Sequence, residues 1–262
     1  MFRELSRRHP AALSFALLAL LPAAACTGPA GSAAPAAAPA AAPAAAPAAA
    51  SPTASTAPPG PGHVVEAPLR GRGPVTLVVG DAASQLDLRL VDLPGLLYRI
   101  STPAGSGLAP RVAGAHGRVA LALRSTGGDG TDTVRIALNR TVSWDVRLPA
   151  GAGEQHLDLS RGRIRRLDVG SSGLLELRLP PPRGTVPVAV TGPVAMITVR
   201  APAAGPVRMR LRDGAGSVRA PWAARTAVPA GSVLAPAAWS TAADRYALDL
   251  RASATTVKLV TF

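Results

Sequence analysis

From residue 63 onward the chain alternates apolar and polar residues in short runs, most of about five positions, broken by turns rich in Gly or Pro. Clear cases are Val75–Val79, Leu86–Leu90, Val119–Leu123, Trp144–Leu148, Leu157–Leu159, Leu174–Leu179, Val207–Leu211 and Tyr246–Leu250. A period of two bounded by turn formers is the pattern of a strand with one buried and one wet face. Asp87, Arg89, Asp145, Arg147, Glu176, Arg178, Arg208 and Arg210 fall on the alternate positions, as a sheet with one solvated face requires. No long stretch keeps a 3.6-residue period, so the expected class is all-β.

Aligned with one another, these runs form a repeat: an alternating strand, a Gly-rich turn, and a second short strand. Its copies are WDVRLPAGAGEQHLDL from Trp144, IRRLDVGSSGLLELRL from Ile164, VPVAVTGPVAMITV from Val186, VRMRLRDGAGSVRA from Val207 and YALDLRASATTVKL from Tyr246. The first four begin 20, 22 and 21 residues apart, and the fifth follows after 39. A helix-free period of this length suits β-solenoid turns lying one on another, because no unit buries its apolar face alone. The expectation is therefore a β-solenoid-like stack of strands, with a β-sandwich of hairpins as the alternative. The irregular segment holding Pro221, Trp222, Pro229, Pro236 and Trp239 reads as a long loop or cap before the fifth copy. Whether residues 63–118 join the same stack is left open by the pattern.

The stretch Leu175–Val218 carries a resemblance to a known family. Its turn and strand from Leu179 to Gly192, the apolar strand Met196–Val199, the turn and strand start Pro202–Arg208, and Gly214-Ala-Gly-Ser-Val218 resemble the adhesin-like β-solenoid domains of bacterial envelope lipoproteins, common in actinobacteria and related to the C-terminal domains of cell-wall-active-antibiotic response proteins. With the flanking copies the likeness covers Val119 to Phe262. It departs at Pro193, where members usually carry Gly or a small residue. The resemblance implies a surface or structural role, or an accessory part in envelope-stress sensing, and it supplies no catalytic residues.

The first residues change where such a domain is expected to work. Arg3, Arg7 and Arg8 precede an apolar run from Ala11 to Leu21, then Ala23, Ala24, Ala25 and Cys26. This reads as an export signal over residues 1–25; the run of about 15 residues to the cleavage point is too short for a bilayer, which needs roughly 20. Leu21-Pro22-Ala23-Ala24-Ala25-Cys26 resembles a lipobox, which implies lipidation of Cys26, the palmitate-carrying anchor of a bacterial lipoprotein, on the outer face of the cell membrane. An ordinary signal peptide cut near Ala25 is the plainer alternative. Residues 26–62 hold no charge and are nearly all Ala, Pro, Ser, Thr and Gly, so they are expected to form a disordered linker. At about 3.1 Å per residue it would reach on the order of 100 Å. Residues 63–262 are the β-strand repeat domain.

The search for reactive chemistry returns little. His9, His63, His116 and His156 are far apart in sequence, and none has a partner at metal-ligand spacing. Asp129 and Asp132 in a Gly-rich turn faintly resemble a Ca²⁺ loop, but no further acids stand beside them. No Gly-x-Ser-x-Gly elbow is present, so the expectation is a non-enzyme with no cofactor and no metal. A carbohydrate-active enzyme on a β-helix is the alternative, and it needs carboxylates that converge in a groove. Charge is the remaining clue: the first 25 residues hold three Arg and one Glu, which leaves +11 of the net +13 on the rest of the chain. An exported domain this basic is drawn to anionic lipid or acidic wall polymer, and nucleic acid is not its expected partner. The candidate polyanion-binding residues are Arg161, Arg163, Arg165 and Arg166, the densest run, and Arg208, Arg210 and Arg212, which share one strand face by period two.

Overall fold

The computed structural model describes residues 62–71, 73–115 and 117–262; the expected export signal, Cys26 and the Ala/Pro tract up to residue 61, together with His116, lie outside the described residues. The described chain is almost entirely strand: β1 (His63–Pro68), β2 (Val75–Val79), β3 (Ala83–Val91), β4 (Leu96–Thr102), β5 (Leu108–Ala115), β6 (Arg118–Ser125), β7 (Thr133–Asn139), β8 (Ser143–Leu148), β9 (Ala152–Asp158), β10 (Arg163–Val169), β11 (Ser172–Arg178), β12 (Thr185–Val190), β13 (Val194–Ala201), β14 (Val207–Leu211), β15 (Ala215–Ala220), β16 (Ala223–Val228), β17 (Ser232–Leu234), β18 (Arg245–Leu250) and β19 (Ala254–Thr261). A short 3-10 helix spans Ala237–Trp239. No helix among the described residues is long and apolar enough to cross a membrane.

The strands make two mixed sheets, neither closed into a barrel. Sheet A has the order β1-β4-β7-β3-β9-β11-β13-β19-β15-β16, and sheet B the order β5-β6-β2-β8-β10-β12-β18-β14-β17. All pairings inside the stack are parallel, whereas β1, β4, β5, β16 and β17 pair antiparallel at its two ends. The chain steps from one sheet to the other, so each coil is a pair of strands. The expected solenoid is present, and residues 63–118 belong to the same stack.

The order of the coils departs from the order in sequence. The stack runs β6–β7, β2–β3, β8–β9, β10–β11, β12–β13, β18–β19, β14–β15. The fifth repeat copy thus lies between the third and the fourth instead of after the fourth. Its strand β18 pairs with β12 on one side and β14 on the other, and β19 with β13 and β15. The opposite end mirrors this, with β2–β3 slotted between β6–β7 and β8–β9. The segment expected to be a loop or cap supplies β16, β17 and the 3-10 helix, and it covers the end beyond β14–β15.

Parallel register places like positions of successive coils in rows. One inward row of sheet B is Val119, Leu77, Val146, Leu167, Val188, Leu248, Met209, and one of sheet A is Ile136, Leu88, Leu157, Leu177, Val199, Leu259. All of these are buried. Burying each such side chain contributes about 1.5–3 kcal/mol, and the rows face one another across a narrow interior. The two rings fully buried in it, Trp144 and Tyr246, have their polar ends satisfied. Trp144 Nε1 donates to Asn139 O at 2.9 Å, and the Tyr246 hydroxyl donates to Pro180 O at 2.6 Å. Burial pushes the Tyr246 phenol well above its ordinary value.

The turns between sheets stack as tightly as the rows. At Gly151 φ is +73°, and a side chain there would run into Ser171 of the next coil, so only glycine fits. Pro193, the departure from the family pattern, sits in the corresponding turn and is used as an acceptor, taking the Ser172 amide at 3.1 Å. Because the last coil is internal, Leu248→Ala should cost about 2–5 kcal/mol, as Leu177→Ala does mid-stack. Chemical unfolding of both variants checks this. Amide exchange should likewise show β19 as protected as β11, where a chain-terminal coil at the end of a stack would fray.

Candidate functional site

Outward rows carry the polar chemistry, and the two sheets distribute it differently. On sheet B, Arg166 and Asp168 of β10 face Arg208 and Arg210 of β14 across the two intervening strands β12 and β18. Those strands turn Pro187, Ala189, Ala247 and Asp249 outward, leaving a trough of about 250 Å³ with Arg251 at its rim. Trp239 braces one wall: the guanidinium groups of Arg208 and Arg245 lie 3.9 and 4.3 Å from the ring centroid, and Trp239 Nε1 donates to Tyr246 O at 2.8 Å.

The predicted arginines are therefore only partly united. Arg166, Arg208 and Arg210 line the trough, Arg161 lies in the turn before β10, and Arg163 is exposed at the start of that strand. A register shift between Ile164 and Arg166 leaves Arg165 unpaired on the backbone ladder, so Arg165 and Arg166 both point away from the core. Arg165 lies 3.7 Å from Asp145, Arg166 2.8 Å from Asp168 and Arg212 2.8 Å from Asp249. Much of the positive charge on this face is thus answered by the three aspartates. Asp249 is held below the usual carboxylate range, first by the hydrogen bonds from Arg212 and also by Arg251, against a smaller opposing effect of burial.

Sheet A shows a mixed half and a basic half. On β9 and β11, His156 lies 3.2 Å from Glu176 and 3.7 Å from Glu154, in a hollow of about 350 Å³ that Arg89, Asp158, Arg178 and Arg200 also line. Glu154 and Glu176 are both more than half exposed. Among the described residues no three His, Cys, Asp or Glu side chains come together as a metal site. Asp132 of the Gly-rich loop receives a long 3.5 Å contact from Ser106 Oγ and ties that loop to the turn at Gly105. Beyond β11, the strands β13, β19, β15 and β16 carry Arg200, Lys258, Arg219 and Arg225 and no acid at all.

No family model matches the chain, and none of the curated proteins compared with it matches. It is similar to the crystal structure of a putative cell adhesion protein from Clostridium sporogenes ATCC 15579, at a TM-score of 0.57 over 76% of this chain and 100% of that one. The sequence identity is 16%, so the likeness is one of fold. It agrees with the all-β, stacked-strand architecture expected from the repeats.

Two features of this surface escape a reading of local sequence. His156 gains its Glu176 contact because residues 20 apart fall on neighbouring coils, as Leu157 and Leu177 also do. Arg178 and Arg200 are brought side by side in the same way, 22 residues apart. The signal that finds both is the repeat period applied to polar positions.

The Asp249 arrangement fixes a pH response. A carboxylate whose folded pKa is depressed stabilises the fold above its unfolded value, near 3.9, and that stabilisation is lost as pH falls through the folded value. Asp249→Asn should lower the urea midpoint at pH 7 by the equivalent of a few tenths to about 1 kcal/mol, after solvent screening. The gap between variant and wild type should close on acidification below the ordinary carboxylate range, as Asp249 takes up its proton.

Proposed function

We propose that the chain is a non-enzymatic, adhesin-like surface module of the cell envelope, held on the extracytoplasmic face of the membrane through a lipid on Cys26. The export signal and lipobox of the sequence support the anchor, and the uncharged Ala/Pro tract between Cys26 and the first strand supports a spacer role. The working surface is the solenoid, which meets an acidic wall polymer through its arginines, Arg161, Arg163, Arg165, Arg166, Arg208, Arg210 and Arg212 among them. The observation that carries this reading is the placement of charge: the chain after residue 25 has a surplus of +11, and among the described residues not one charged side chain is buried. A rigid, two-faced stack that turns a one-signed surplus outward attracts polyanions.

Retention of the purified protein on immobilised polyphosphate or polygalacturonate tests the proposal. The wild type should be retained at low ionic strength and released as salt rises, since the attraction is screened within about 10 Å at 0.1 M. Substituting Ser for Arg161, Arg163 and Arg210, which have no acidic partner within 4.0 Å among the described residues, should shift elution to lower salt without unfolding the domain. A wild-type protein that passes through both matrices at low salt overturns the reading.

A second reading, a carbohydrate-active enzyme on the solenoid, is favoured by the approach of Glu154 and Glu176 to His156. It requires glycan cleavage that Glu176→Gln abolishes. Both carboxylates are more than half exposed to solvent.

A further inference from the structure

On the reading that the domain holds a polyanion, the structure assigns the main contact to a place outside the arginine runs that the sequence makes conspicuous. We infer that Arg178, Arg200, Lys258 and Arg219, on the outer face of sheet A, form a binding track for a linear polyanion lying across the strands.

Register sets the geometry. Arg178 stands directly beside Arg200, and Lys258 directly beside Arg219, on the four adjacent strands β11, β13, β19 and β15, with the second pair set two residues back along the strands from the first. Strands lie about 4.8 Å apart, so the four cations span about 14 Å along the stacking axis. Like charges set directly opposite one another on neighbouring strands destabilise a sheet unless something answers them. The answer inside the protein is partial: Asp158 stands beside Arg178 in register and the Phe262 ring centroid lies 5.5 Å from its guanidinium, but among the described residues none of the four takes part in an ion pair within 4.0 Å, and all four are exposed. The nearest acids are engaged elsewhere, Glu176 with His156 at 3.2 Å and Asp158 with the Ser160 hydroxyl at 2.6 Å. Sheet B shows the contrast, since its arginines are interleaved with Asp145, Asp168 and Asp249.

Hydroxyl groups accompany the cations. Thr198, two residues before Arg200, is the cross-strand neighbour of Lys258, and beyond Lys258 and Arg219 stand Thr256 and its neighbour Ser217, with their hydroxyl oxygens 3.5 Å apart. Cations spaced along an axis with hydroxyl donors beside them suit a chain of anions more than a single ion. Simultaneous contacts along one chain raise its effective concentration at each successive cation. The repeating anion is a phosphodiester or a carboxylate, and both present oxygens that arginine takes in paired hydrogen bonds.

The test compares two variants of equal charge loss in the full mature chain: Arg200→Ser with Lys258→Ser on sheet A, and Arg166→Ser with Arg210→Ser on sheet B. Binding to inorganic polyphosphate and to polygalacturonate is measured across a salt series, with free phosphate as the single-anion probe. The sheet A variant should bind the polymers at least tenfold more weakly than wild type, with a flatter dependence on log salt by roughly 0.7 per contact removed. The sheet B variant should lose less than half of that factor, and free phosphate should not compete at equal phosphate concentration. Either polymer held in this way supports the track, and the tighter one names the anion. Equal loss in the two variants means that net charge alone attracts the polymer and overturns the track while leaving the polyanion reading standing. A wild type that binds neither polymer overturns both.

Discussion

The parallel backbone ladder governs everything else in this molecule. Once β8 pairs with β10 and β9 with β11 in register, residue identity no longer matters singly but in rows, because each position sits beside its counterpart in the coils on either side. Inward rows are then mostly Val, Leu and Ile with few rings, and Gln155, buried between Leu86 and Leu175, enters one of them with its amide donating to Ser171 O. Outward rows gather whatever charges the repeats carry at one position. The same ladder that builds the core therefore builds the surface chemistry, and it does so without regard to whether neighbouring charges attract.

Intercalation of the first and last coils strengthens that ladder where a linear solenoid is weakest. In an array whose coils follow sequence order, each end coil is also near a chain end and has one partner only. Here β2–β3 and β18–β19 are paired on both edges, and the coils at the ends of the stack, β6–β7 and β14–β15, are internal in sequence. The outermost edges are covered by antiparallel returns, β4 and β1 with β5 at one end and β16 with β17 at the other. Unfolding the chain terminus therefore opens the middle of a sheet, which couples the ends to the core.

Much of this was legible in the sequence, and the reasons for the rest are physical. The runs Val75–Val79 and Val207–Leu211 match β2 and β14 residue for residue, because period two with bounding turn formers is a strong local signal. The end strands β1 and β16 were not visible, since they bury little and show no clean alternation. Coil order was not visible either: repeats 20 to 22 residues apart say that units stack, while the choice of neighbour lies in connections long enough to skip a coil. The arginine run Arg161–Arg166 was conspicuous by density, yet the fold partly neutralises it with Asp145 and Asp168. Arg219 and Lys258 looked unrelated, although they are 39 residues apart, the same interval that separates Val207 from Tyr246 at the starts of their repeats.

Charge rows set by a backbone ladder make a demand that a diffuse basic surface does not. A ladder of cations about 14 Å long has a length of its own. The most direct measurement is the affinity of the protein for polyphosphates of increasing length, at constant total phosphate and fixed ionic strength. Affinity per chain should rise steeply while the polymer is shorter than the track and level off once it spans Arg178 to Arg219. Affinity that is independent of length, or that keeps rising in simple proportion to polymer charge, would contradict a track of fixed span.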